Sequence, residues 1–149
     1  MKSPIFKTLM LAVAFIGFCS TAVSAQYLYD LPKGPNGGNA SEVRGTDQKV
    51  ECKLSDKNVS FFVINEKNQN AKLTASAAAA TVLFDYDGAI PAITKQVTIT
   101  SKNKFEVALP VNQHQLNFVA IQMNFNGQLM EARYIVNKAN SVMQNSSTE

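Results

Sequence analysis

Two strand-length apolar runs, Leu116 to Phe125 and Leu129 to Val136, flank the dipeptide Asn126-Gly127. A two-residue type I′ turn needs positive φ at both central positions, and Asn-Gly tolerates that at the least cost. The dipeptide therefore commits this part of the chain to an antiparallel hairpin. In the second run Met130, Ala132, Tyr134 and Val136 share one face, and Leu129, Glu131, Arg133 and Ile135 the other. Alternation of this kind is the signature of a sheet with one face toward a core.

The same period of two recurs upstream. A first strand spans about 48 to 54, with Val50, Cys52 and Leu54 on one side and Glu51 and Lys53 on the other. Ser55-Asp56-Lys57-Asn58 is a turn, and the next strand, Val59 to Ile64, is apolar on both faces as a central strand should be. Lys95 to Thr100 and Phe105 to Leu109 form another pair across Ser101-Lys102-Asn103. The stretch from Ala71 to Phe84 admits two readings. Ala77 to Ala80 is good helix-forming sequence, whereas Thr74, Thr81, Val82 and the surrounding hairpins favour a strand of small residues, which is the preferred reading. Seven to eight short antiparallel strands separated by turns predict a single all-β, immunoglobulin-like β-sandwich.

Ahead of the strands, residues 1–25 have the order of a secretory leader. Lys2 and Lys7 are followed by an apolar run from Leu9 to Phe18, then by small residues ending at Ala25. Cleavage is expected before Gln26, because the run is too short to span a bilayer and Phe18 before Cys19 does not suit a lipoprotein signal. The mature chain is then expected to be soluble, secreted or periplasmic, and without a transmembrane segment. Residues 26–47, with Pro32, Gly34, Pro35, Gly37, Gly38 and Gly45, read as an extended arm in which Tyr27-Leu28-Tyr29 can pack back as an edge strand. The sandwich occupies 48–137, and 138–149 is a polar tail.

Removal of the leader leaves 149 − 25 = 124 residues, enough for one core. It leaves 14 − 2 = 12 basic residues against 11 acidic ones, scattered along the chain, which gives no footprint for nucleic acid. It also removes Cys19, so Cys52 has no intramolecular partner. The alternation points Cys52 inward as a small apolar group; pairing between chains or thiolate ligation of a metal is the alternative.

Candidate chemistry is sparse. His114, the single histidine, lies in a polar connection, and a lone loop histidine is ordinarily solvated. With Met123 and Met130 it completes the set of weak metal candidates, thioethers being soft ligands for Cu(I); methionines on strands more often pack a core. A Cys52–His114 nucleophilic pair would need a base beside the thiol, and nothing in the sequence places the two together. Asp85-Tyr86-Asp87-Gly88 begins like a calcium loop but has no distal acid and reads as a turn. Sequons at Asn39, Asn58 and Asn145 bear on glycosylation only in a eukaryotic secretory pathway. No acid–base pair stands out, so no enzyme and no cofactor is expected.

Asn36-Gly37-Gly38, Val50 to Leu54, Val59 to Asn65 and the closing Asn126 to Val136 together resemble a family of small bacterial exported β-sandwich proteins, often associated with heavy-metal efflux systems. The resemblance covers about Pro35 to Val136. It implies a non-enzymatic binding or accessory protein of the cell envelope linked to metal handling, its partner an envelope protein or small ligand. The family pattern tends to place a histidine before the paired glycines where this chain has Asn36, so a metal role for that histidine does not carry over. A structural or adhesion-type module acting through a sheet edge or the arm is the alternative. The sequence leaves the oligomeric state undefined.

Overall fold

A computed structural model describes residues 25–71, 79–101, 104–125 and 127–137. The leader up to residue 24, the alanine-rich residues 72–78 and the tail from 138 lie outside the described residues. Among those described there are nine strands: β1 Gln26–Tyr27, β2 Asn39–Glu42, β3 Lys49–Leu54, β4 Asn58–Ile64, β5 Ala79–Tyr86, β6 Ile93–Ser101, β7 Lys104–Ala108, β8 Leu116–Phe125 and β9 Gln128–Ile135. No helix among these residues is long and apolar enough to cross a membrane.

The strands form two packed sheets in the continuous order β1-β9-β8-β5-β6-β7-β4-β3-β2. Strand β6 belongs to both. Ile93 to Thr98 pairs with β5, and Ile99 and Ser101 pair with β7 across a register irregularity. A bulge bends the strand and increases its twist, which carries it round the corner of the sandwich. Strands β4 and β7 pair, as do β5 and β8. Each of these pairs joins strands three apart in the chain, the Greek-key connectivity of an immunoglobulin-like sandwich.

The alternation read from the sequence sets the core. Val50 and Cys52 of β3, Phe61 and Val63 of β4, Val82 and Phe84 of β5, Ile121 of β8, and Met130 and Tyr134 of β9 lie in one buried cluster between the sheets. Tyr134 ties the layers together, its hydroxyl donating to the Val50 carbonyl at 2.6 Å and its ring set against Phe61 at 6.3 Å. The stretch read as strand or helix is strand from Ala79 onward. Gly127 has φ 79°, in keeping with a hairpin turn between β8 and β9.

The arm is more ordered than its Gly- and Pro-rich composition predicts. β1 pairs parallel with the end of β9, and Asn39–Glu42 forms the edge strand β2 on β3. Pro32 to Gly34 then covers β2 from outside. The Ala40 amide donates to the Pro32 carbonyl at 2.8 Å, and the Gly34 amide to the Gly38 carbonyl at 3.0 Å. A proline-bearing cover of this kind shields an edge from pairing with another chain.

Candidate functional site

One end of the sandwich holds a cleft of about 410 Å³ lined by Tyr27, Tyr29, Gln113, His114, Leu116, Val136 and Asn137. Its floor is Leu116, fully buried where β8 enters the core, so the surface the cleft presents is largely polar. Tyr29 is 54% exposed, and its ring meets that of Tyr27 edge-on at 5.7 Å. Partial burial, with the neighbouring Tyr27 hydroxyl second and Cys52 third, raises the Tyr29 phenol above its ordinary range.

The loop that carries His114 is held on several sides. The Val111 amide donates to the Tyr86 hydroxyl at 3.0 Å, and that hydroxyl donates back to the Val111 carbonyl at 3.1 Å. Asn112 caps the short 3-10 turn Gln113–Gln115 by accepting from the His114 amide at 3.1 Å. The Asp87 amide donates to the Gln115 carbonyl at 2.8 Å, and the Gln113 side chain donates to Asp56. Of the stretch Asp85-Tyr86-Asp87-Gly88 read as a turn, Asp85 and Tyr86 are instead the end of β5, paired with β8, and only Asp87 and Gly88 lie in the turn. The imidazole itself is exposed at the rim.

The residues named as metal candidates are not brought together. Met123 and Met130 face each other across β8 and β9, and both are buried in the core. Met123 lies seven strand residues beyond Leu116, which at ~3.4 Å per residue puts it on the order of 20 Å from the His114 turn. Cys52 is a buried free thiol. Its ionisation is pushed strongly upward by burial and then by the Glu51 charge, the opposite of what a nucleophile or metal thiolate requires. Among the described residues no group of three or more His, Cys, Asp or Glu is placed to hold a metal ion.

A second polar centre was not apparent from the sequence. Glu51 points to the outer face of β3, yet it is fully buried because the loop Gly34–Gly38 folds over it. Its Oε1 accepts from the Asn36 amide at 3.0 Å and the Gly38 amide at 2.7 Å. Its Oε2 accepts from Asn36 Nδ2 at 2.8 Å and, more weakly, from the Asn36 amide at 3.2 Å. Asn36 and Asn70 complete the clasp with reciprocal amide bonds of 2.7 and 3.0 Å. The approach is close enough to require glycine. A Cβ on Gly34 would lie 2.3 Å from the Glu51 carboxyl carbon, and one on Gly38 would lie 2.5 Å from the Cys52 carbonyl oxygen. The signal available beforehand was the Gly34-x-x-Gly37-Gly38 spacing, which marks a tight loop but not the carboxylate beneath it.

Comparison with protein-family models, curated proteins and solved structures found no match to this chain.

Proposed function

We propose that this protein is an exported, non-enzymatic binding module of the cell envelope that takes a small uncharged ligand in the end cleft. The observation that carries this reading is the lining of the cleft. Two tyrosines, an imidazole and two side-chain amides line it beside Leu116 and Val136, with no Asp, Glu, Lys or Arg among the lining residues. A concave site of roughly 300–1,000 Å³ with a few convergent polar groups is the usual form of a small-molecule site. Exposed tyrosine faces and amide groups suit neutral sugars. Export rests on the leader-like residues 1–25.

The sequence has no tryptophan, and two of its four tyrosines, Tyr86 and Tyr134, are buried. Tyr86 and Tyr134 then contribute a constant background, and ligand-induced changes in tyrosine fluorescence report on Tyr27 and Tyr29 in the cleft. Titration with maltotriose, cellotriose and chitotriose is expected to change it saturably for at least one sugar, and Tyr29→Ala should abolish the change. No change up to millimolar sugar would overturn the reading. The link to metal handling implied by the family resemblance rests on His114 at the cleft rim. Titration with Cu(I), Zn(II) and Ni(II) tests it, and a Kd weaker than roughly micromolar for all three removes it. The alternative is an interaction module acting through a sheet edge or the arm; use of the arm within the fold to clasp Glu51 and cover β2 counts against the arm and the β2 edge.

A further inference from the structure

The clasp over Glu51 contains a reactive dipeptide, Asn36-Gly37. In an Asn-Gly pair the backbone nitrogen of the glycine can attack the asparagine Cγ. A new N–Cγ bond forms, the Cγ–Nδ2 bond breaks, and ammonia leaves with a cyclic imide behind it. Water then opens the imide to isoaspartate or aspartate, so a neutral amide becomes a carboxylate without oxidant or enzyme. Glycine at the second position offers no Cβ to hinder the attack.

We propose that Asn36 is a self-modification site that converts opening of the N-terminal loop into a permanent release. In the closed loop the Asn36 carboxamide is held between Glu51 and Asn70, and the Gly37 amide is directed to the Gly34 carbonyl at 3.4 Å. Attack requires the side chain to leave those partners and swing onto its own backbone, so reaction follows opening. In the aspartate product the new carboxylate would have to return to where Asn36 Nδ2 now donates to Glu51 Oε2 at 2.8 Å. Two carboxylates cannot share that position while both are ionised. In isoaspartate the backbone runs through Cγ, and the added methylene carries the Gly38 amide out of register with Glu51 Oε1. Either way the loop stays off β3. The fully buried Glu51 is thus both the group that protects Asn36 and the group that rejects its product.

The test has two arms. Protein held at mildly alkaline pH is sampled over days, and the one-dalton mass gain on the Asn36 peptide is followed by mass spectrometry. Folded protein is expected to deamidate at Asn36 at least ~tenfold more slowly than urea-unfolded protein, since reaction waits on local opening; Glu51→Ala should remove most of that protection. In the second arm Asn36→Asp mimics the aspartate product, with tryptic cleavage after Lys33 as the readout. Asn36→Asp is expected to cleave faster than the parent at neutral pH. Adding Glu51→Gln should restore resistance, because the Gln amide nitrogen in the place of Oε2 donates to the new carboxylate while Oε1 still serves the Asn36 and Gly38 amides. Equal deamidation in folded and unfolded protein, or a double variant no more resistant than Asn36→Asp, overturns the proposal. Should Asn36→Asp fail to fold, the deamidation rate in Glu51→Ala decides alone, and a rate equal to the parent's counts against it.

Discussion

Replacing Glu51 measures how strongly one carboxylate holds the arm to the sandwich. In the parent, two backbone amides and one side-chain amide converge on it at 2.7–3.2 Å, fully out of solvent. Hydrogen bonds to a charged group contribute ~1.5–3 kcal/mol, and those of a single clasp are not additive. Glu51→Ala removes the acceptor and leaves the Asn36 and Gly38 amides facing an apolar gap. Water can satisfy them only if the loop lifts, so the cost is capped by the free energy of releasing it, at about 3 kcal/mol. Glu51→Gln is milder. Its oxygen can still accept from the two backbone amides, and if Asn36 and Asn70 both turn their amides over, the new NH2 finds Asn36 Oδ1. What is lost is charge assistance, worth ~1–2 kcal/mol. Urea unfolding gives both values, and hydrogen exchange at Asn36 and Gly38 locates the effect. Glu51→Ala within ~0.5 kcal/mol of the parent, the scatter of neutral surface changes, or Gln as costly as Ala, would refute the reasoning.

Other consequences follow from the core and the loop. Burial pushes Cys52 and Tyr134 upward, so the unfolded chain loses these protons before the folded one does. Stability should be complete below about pH 8.5, the ordinary thiol value, and fall above it by ~1.4 kcal/mol per pH unit per group. In Cys52→Ala the decline should begin nearer pH ~10, as urea melts across that range would reveal. Gly38→Ala drives a Cβ into the Cys52 carbonyl, which β2 and β4 hold on both sides, and should destabilise by ~1–3 kcal/mol in thermal melts. At Gly45, where a Cβ meets nothing within 4 Å, Ala brings only the strain of φ 79° and should cost less. Met130→Ala should cost ~2–5 kcal/mol through the cavity it leaves. Tyr134→Phe, which loses the bond to Val50, should cost ~0.5–1.5 kcal/mol by the same assay.

The sandwich was legible where its causes are local. Asn126-Gly127 specified a hairpin through its own φ preferences, and alternation along Val50 to Leu54 already turned Cys52 inward. These signals are carried by neighbours in the chain and need no knowledge of what packs above them. Asn39–Glu42 was illegible as a strand because its residues have little β preference; pairing with β3 on one side and cover from Pro32 on the other make it one. The course of β6 through both sheets is likewise a matter of closing the sandwich, with the register irregularity after Ile99 as its local trace.

By itself, then, the sequence determined the fold class, most strand positions and the inward face of the strands that alternate, because side-chain alternation and turn chemistry act over a few residues. Only the tertiary structure decided that Glu51, which alternation places on the solvent face, is buried under its own arm. The same holds for Met123, Met130 and His114, which the chain brings to different environments. Burial of an outward-facing residue depends on a segment 13 to 17 positions away folding back over it, a contact for which no local pattern codes.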